Sequence, residues 1–338
     1  MDIVNKRPDP TEIAAWIIAA AILLLILIFH LLPALLAGLL VFELVHIISP
    51  QVAKHLPGQR SKFIALGLLA FTIISLLTLS GVGLVTFLRS DAAGLTLLFD
   101  KMAEIIDGSR AMSPAWLLTY LPPDAETLRL SVTAWLRTHA SELQLAGKEI
   151  ARLAAHILVG MVIGGMLAVR EIVPVHQYQP LARAMAERAV RLGTAFRRIV
   201  FAQVRIAAIN ATFTAVYLVL ILPLMGIHLP LTKTMIAITF VVGLIPVIGN
   251  LISNTVIVVV SLSQSLNVAI GSLVFLIVIH KLEYFLNARI VGSQIHARAW
   301  ELLLAMLLME SVFGIIGVVA APIYYAYLKD ELSARGLV

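Results

Sequence analysis

Glu310 is a carboxylate inside an otherwise uncharged run, Leu302–Leu328, and such a group has to serve a partner, a cavity or a reaction. Steps of four, three and four residues lead from it to Gly314, Gly317 and Ala321. On a helix these share one face, open to close approach by another helix or a solute. His280, Glu283 and Asn287 repeat at three and four and form a second polar face, with Lys281 and Arg289 beside it. Asn250 and Asn254, followed at helical spacing by Ser261, form a third, directly after a break running from Gly243 through Pro246 to Gly249. Broken helices present free amides and carbonyls to ligands, so Pro246, Gly249, Asn250 and Asn254 are candidates for a transport path. A proline kink satisfied by asparagine, and an interfacial cluster with snorkelling cations around His280, are the plainer readings of those two groups.

Other spacings point to packing. Gly160 and Gly164 make a GxxxG, a close helix contact within or between subunits. Arg183, Glu187 and Arg191 stand four apart, as charge pairs on a surface helix do. Glu43 and His46, three apart, would suit a proton-sensitive pair. The nine histidines form no HExxH, and no GxSxG or glycine-rich phosphate loop is present. With no cysteine either, the expectation is no enzyme, no metal site, no cofactor and no ATP-driven step.

The elements that carry these residues are dictated by composition. Of 338 residues, 60% are hydrophobic and 13% charged, against about 45–50% and 25% in soluble domains. That much apolar surface needs lipid as its solvent, so an all-α polytopic bundle is expected. A span takes about 20 apolar residues. Residues 13–48 supply two helices joined at Phe29–Pro33, and Phe63–Leu88 a third. Leu153–Val169 and Ile206–Thr232 give the fourth and fifth, the latter ending near Pro223 or Pro230. Thr234–His280 holds 47 residues without a charge, about 70 Å of helix, which exceeds two bilayer cores. It divides at Gly243–Asn250, read as a kinked span or a re-entrant hairpin, and at a turn over Ser261–Asn267. Leu302–Leu328 closes a count of about eight spans.

Three regions result: 1–88 with three spans, a polar helical insertion over 89–149, and a membrane block over 150–338 that includes the arginine-rich helix of 170–205. Leu95, Leu98, Met102 and Ile105 give the insertion its helical period, with helix starts at Ser113-Pro114 and Pro123-Asp124. Seven arginines against two glutamates place Arg170–Arg205 in the cytoplasm. Cysteines at Ala184 or Ala195 should then resist an impermeant thiol reagent in intact cells. Eight spans conflict with this rule at Arg289 and Arg298, which would lie outside. A re-entrant hairpin at Pro246 would return them. Because the basic residues sit between apolar runs, the net charge of +6 reflects membrane topology, and no nucleic-acid partner is expected.

At three places the chain resembles the autoinducer-2 exporter family of bacterial transporters. Residues 240–250, FVVGLIPVIGN, are similar to its "fIPyiGp" signature; 287–292, NARIVG, to its "NPrivG"; and 313–322, FGIIGVVAAP, to its "GllGallaiPl" run. Asn250 and Ala288 stand where that pattern commonly has proline, and residues 296–301 depart from its "lhP". The resemblance implies export of a small signalling solute from a bacterial cytoplasmic membrane, with cation/proton antiport in some members. The expectation is therefore a homo-oligomeric, multi-pass transporter moving a small polar solute or ion by facilitated or gradient-driven transport. Sodium/proton exchange through Glu310 or Glu283, and a membrane scaffold recruiting partners through the insertion, are the alternatives.

Overall fold

Long runs of Leu, Ile, Val and Ala offer the backbone no side-chain partners, so its amides and carbonyls bond to one another and helix follows helix. The computed structural model describes residues 9–54, 60–89, 125–170, 178–245, 248–262, 264–295 and 298–337, and among these there is no strand. In chain order the elements are α1 (Pro10–Ile28), α2 (Leu32–Ala53), α3 (Arg60–Arg89), α4 (Ala125–Thr138), α5 (Ala140–Val169), α6 (Pro180–Ala215), α7 (Thr232–Gly243), α8 (Ile248–Leu262), α9 (Leu266–Ile295) and α10 (Ala299–Ser333). Five stretches are long and apolar enough to cross a membrane: α1, α2, α5, Pro180–Leu224 and Trp300–Ser333. The all-α membrane bundle is thus as expected. Within the insertion, Leu95–Ile105, Ser113-Pro114 and Pro123-Asp124 lie outside the described residues; α4 and the start of α5 are its described helices.

The chain divides into two compact units. The first takes Met1–Ile74, Ile150–Ala202 and Ala288–Val338. In it α1 and α2 meet at a tight turn where His30 is left-handed (φ 56°) and Leu31 N–H donates to the Ile26 carbonyl. This is the junction read from Pro33. Gly160 and Gly164 of α5 cross α2 at Ala34 and Gly38. A side chain begun at Gly160 would run into the Ala34 carbonyl, and one at Gly164 into the Gly38 carbonyl. The GxxxG is therefore an intrachain contact, matched by a second small pair on α2.

α10 is not straight. Gly314 has φ 61° and ψ −145°, a conformation essentially confined to glycine. Beyond it the chain turns back. Tyr325 OH donates to Glu301 Oε2 at 2.5 Å and Lys329 Nζ to the same oxygen at 3.0 Å. On a continuous helix Glu301 and Tyr325 would be about 36 Å apart. The Met309 carbonyl occupies the space where a side chain at Gly317 would begin, so the two arms touch near the tip. The long apolar stretch is a hairpin, and the shared face reasoned from Glu310 through Gly314, Gly317 and Ala321 does not exist, because that reasoning assumed an unbroken helix.

The arginine-rich end of this unit is tied by charge. Arg191 donates to Glu331 at 2.6 Å, Trp16 Nε1 donates to the same carboxylate at 3.1 Å, Arg198 pairs with Asp330, and Arg335 with Glu12. Arg183 does pair with Glu187, at 3.3 Å, but Arg191 leaves that row for Glu331. Glu43 is buried against Arg197 at 3.6 Å while His46 bonds the Phe42 carbonyl, so those two do not pair. Ala184 and Ala195 are both buried, which disqualifies them as labelling probes; Val190, 67% exposed, is suitable.

The second unit takes Ser75–Glu149 and Gln203–Asn287. Here α6 passes into a π-helical segment, Val216–Ile221, just before Pro223. Proline has no amide and its ring crowds the carbonyl four residues back, so the helix widens ahead of it. The helix then ends at Gly226 (φ 77°), with Ile227 N–H on the Leu222 carbonyl and Gly226 N–H on that of Pro223.

Gly164→Leu should lower stability by about 1–3 kcal/mol, since neither backbone can yield without opening the α2–α5 crossing. Gly67→Leu, where an added Cβ meets nothing within 4 Å, should be near neutral. Thermal unfolding of the two variants in detergent checks the contrast.

Candidate functional site

The break read at Pro246 is a reversal. α7 ends at Gly243 and α8 begins at Ile248, while Pro246 itself lies outside the described residues. The Val242 carbonyl fills the place of a side chain at Gly249, although seven helical residues would separate them by about 10 Å. With 12 and 15 residues, the arms reach about 18 and 22 Å, short of a hydrocarbon core of ~30 Å. Of the two readings, kinked span and re-entrant hairpin, the geometry is that of the hairpin.

One face of α6 holds this hairpin. Gln203 Nε2 donates to the Gly243 carbonyl at 2.8 Å and so satisfies the open end of α7. Ala207 lies against Gly243, where an added Cβ would be 3.4 Å from the Ala207 Cβ. Asn210 Nδ2 donates to Asn250 Oδ1 at 3.3 Å, across the first turn of α8. Positions 203, 207, 210 and 214 are spaced four, three and four, the period of one helical face.

Beyond Asn210 a small cavity is lined by Asn210, Thr214, Thr239, Asn250, Ser253, Asn254, Leu276, Ile279 and His280. Its volume is ≈ 10 Å³, about the space one water needs. Asn210, Thr214, Thr239 and Ser253 are buried, and Asn250 and Asn254 partly so. Thr239 donates to the Met235 carbonyl (2.8 Å) and Ser253 to that of Asn250 (3.3 Å), so both hydroxyls keep lone pairs free to accept. The described lining is amide, hydroxyl and imidazole with two aliphatic side chains, Leu276 and Ile279, and no carboxylate. It can bind and orient a small hydrogen-bonding guest.

Of the residues singled out in sequence, Asn250 and Asn254 line this cavity and Gly249 shapes the hairpin next to it. His280 contributes to the lining from α9. Glu283 and Asn287 continue along α9, but their side chains lie outside the described residues. Glu310 is in the other unit, exposed, four residues before the Gly314 turn. Gly160, Gly164 and Gly317 serve packing, and Gly314 the turn. Sequence reasoning missed Gln203, Asn210 and Thr214 on α6, Thr239 on α7, and Ser253 beside its two asparagines. The α6 stripe was readable as small or polar residues on one helical face within an apolar segment.

A family model described as AI-2E family transporter matches residues 13–334, nearly the whole chain. No curated protein and no solved structure matches.

In a double-mutant cycle, Asn210→Leu and Asn250→Leu should show a coupling of about 0.6–1.7 kcal/mol, the range for hydrogen bonds between membrane helices. Unfolding free energies in detergent measure it. Additive effects would mean that the amide pair is not a bond in the folded protein.

Proposed function

The chain belongs to the AI-2E transporter family and is a membrane transporter, and from that premise we propose that its cargo is a small polar solute passed through the cavity of the second unit. One observation supports this most: buried amides and hydroxyls converge beside a helical hairpin that cannot cross the bilayer alone. Such a lining replaces the hydration of an uncharged, hydrogen-bonding guest. Exchange through Glu310 gains no support from it, because the cavity's described lining holds no carboxylate. Movement is facilitated or gradient-driven, in the direction of export.

We place the protein in the bacterial cytoplasmic membrane with six crossings: α1, α2, α3, α5, the later part of α6 with its π segment, and α9. The α7–α8 and α10 hairpins enter and leave on one side each. With these two re-entrant elements, Arg289, Arg298, Lys329 and Arg335 join the Arg170–Arg205 segment in the cytoplasm, in keeping with the positive-inside bias. The conflict that eight spans created disappears. A homo-oligomer suits the exposed Glu310, because a carboxylate facing lipid costs roughly 2.5–3.5 kcal/mol and a second copy can shield it.

In intact cells a cysteine at Val190 should resist an impermeant thiol reagent, while one at Met225, which is 68% exposed after the fifth crossing, should label. The reverse pattern would invert this topology.

Purified protein in liposomes, offered a panel of radiolabelled polyols, sugars and amino acids, should pass at least one of them. Asn254→Leu should slow that flux at least tenfold, and Thr255→Val, a lipid-facing control whose hydroxyl bonds only its own helix, should not. Normal flux in a folded Asn254→Leu protein would remove the cavity from the path.

A further inference from the structure

We propose that Tyr217, stacked on Phe275, is the gate that closes the outer end of the cavity, an inference that rests on the proposed transport path. The cavity admits about one water, so any larger solute needs a wall to move. One helical turn beyond Thr214, the Tyr217 ring lies face to face with Phe275, centroids 3.9 Å apart and planes within 8°. Its hydroxyl shares a hydrogen bond with Ser272 Oγ at 3.0 Å, and Ser272 shares another with Ser261 at 2.7 Å. Ser261 and Ser272 are both 0% exposed.

The three polar groups come from the π segment, α8 and α9, so a single chain of hydrogen bonds ties together every helix that carries this layer. On α9 Ser272 sits one turn from the lining residue Leu276 and two turns from Ile279. On α8 the layer lies toward the end of the arm away from Asn250. In the proposed topology all three directions point outward. His280, on the opposite side of the lining, is exposed at the mouth.

Tyr217 also stands in the one described stretch of π-helix. There the regular ladder is already interrupted ahead of Pro223, and π segments frequently mark functional sites. A rotation of the tyrosine breaks the stack and one hydrogen bond, and leaves Ser261 and Ser272 bonded to each other. Tyr217 belongs to the same buried cluster as Leu218, Leu222 and Met235, so opening also withdraws its ring from that cluster, while the aliphatic members keep one another as neighbours.

The test uses the absence of native cysteine. The full-length chain carrying Asn254→Cys is reconstituted in liposomes and exposed to a charged methanethiosulfonate from either side. Asn254 is partly exposed and shares the lining with His280 at the mouth, so the reagent reaches it there without entering the cavity; labelling is expected from the cytoplasmic side and not from the outer side. Adding Tyr217→Ala should raise the outer rate at least tenfold with the cytoplasmic rate unchanged, and Ser272→Ala and Tyr217→Phe should raise it by a smaller factor. If Tyr217→Ala does not fold, those two milder variants decide the matter. An outer rate that none of these changes moves, or equal labelling from both sides with Tyr217 in place, overturns the gate and leaves the path standing. No labelling from either side, with or without Tyr217, overturns path and gate together.

Discussion

A backbone inside hydrocarbon has no water to bond, so every amide and carbonyl freed by a break must find its partner in the protein. This constraint organises the second unit. α7 stops at Gly243, and the carbonyl left there takes the Gln203 amide. The reversal that follows forces α7 and α8 so close that only glycine fits at 249. Pro223 opens the ladder of α6, and the chain answers with a π segment and a glycine-terminated end. The cavity lies next to the α7–α8 reversal and is lined by side chains of α6, α7, α8 and α9.

The first unit meets a related problem with charge. Its arginine-rich helix carries Arg188, Arg191, Arg197 and Arg198, and their described partners on other helices come from α1, α2 and the end of α10. Glu331 is buried, so its pairing with Arg191 and Trp16 must hold or leave a carboxylate unpaired in a poorly solvated place. These contacts anchor the returning arm of α10. The hairpin therefore depends on ion pairs at its base and on Gly314 and Gly317 near its tip.

Some signals in the sequence carry through to the fold and others do not. Apolar run length located most helices, proline located the α1–α2 turn and the end of α6, and GxxxG located a backbone crossing. Stepping along α10 failed because one glycine torsion cancels helical periodicity, and Gly314 in sequence looks like any helical glycine. Charge-free length alone does not fix the number of spans, because it measures apolar chain, and a hairpin has as much of it as two crossings. Asn250 was visible as a departure from the family pattern, but its partner Asn210 lies 40 residues earlier.

By itself the sequence determined the solvent, the helical class, the breaks marked by proline and the family, because these follow from local composition and short motifs. Tertiary structure alone decided that both long apolar stretches fold back, that α6 supplies the polar stripe facing the hairpin, and that Tyr217, Ser261 and Ser272 meet. Those outcomes depend on which side chain a broken helix end finds within hydrogen-bond reach. That is set by packing between segments far apart in the chain, and nothing in either segment read alone records it.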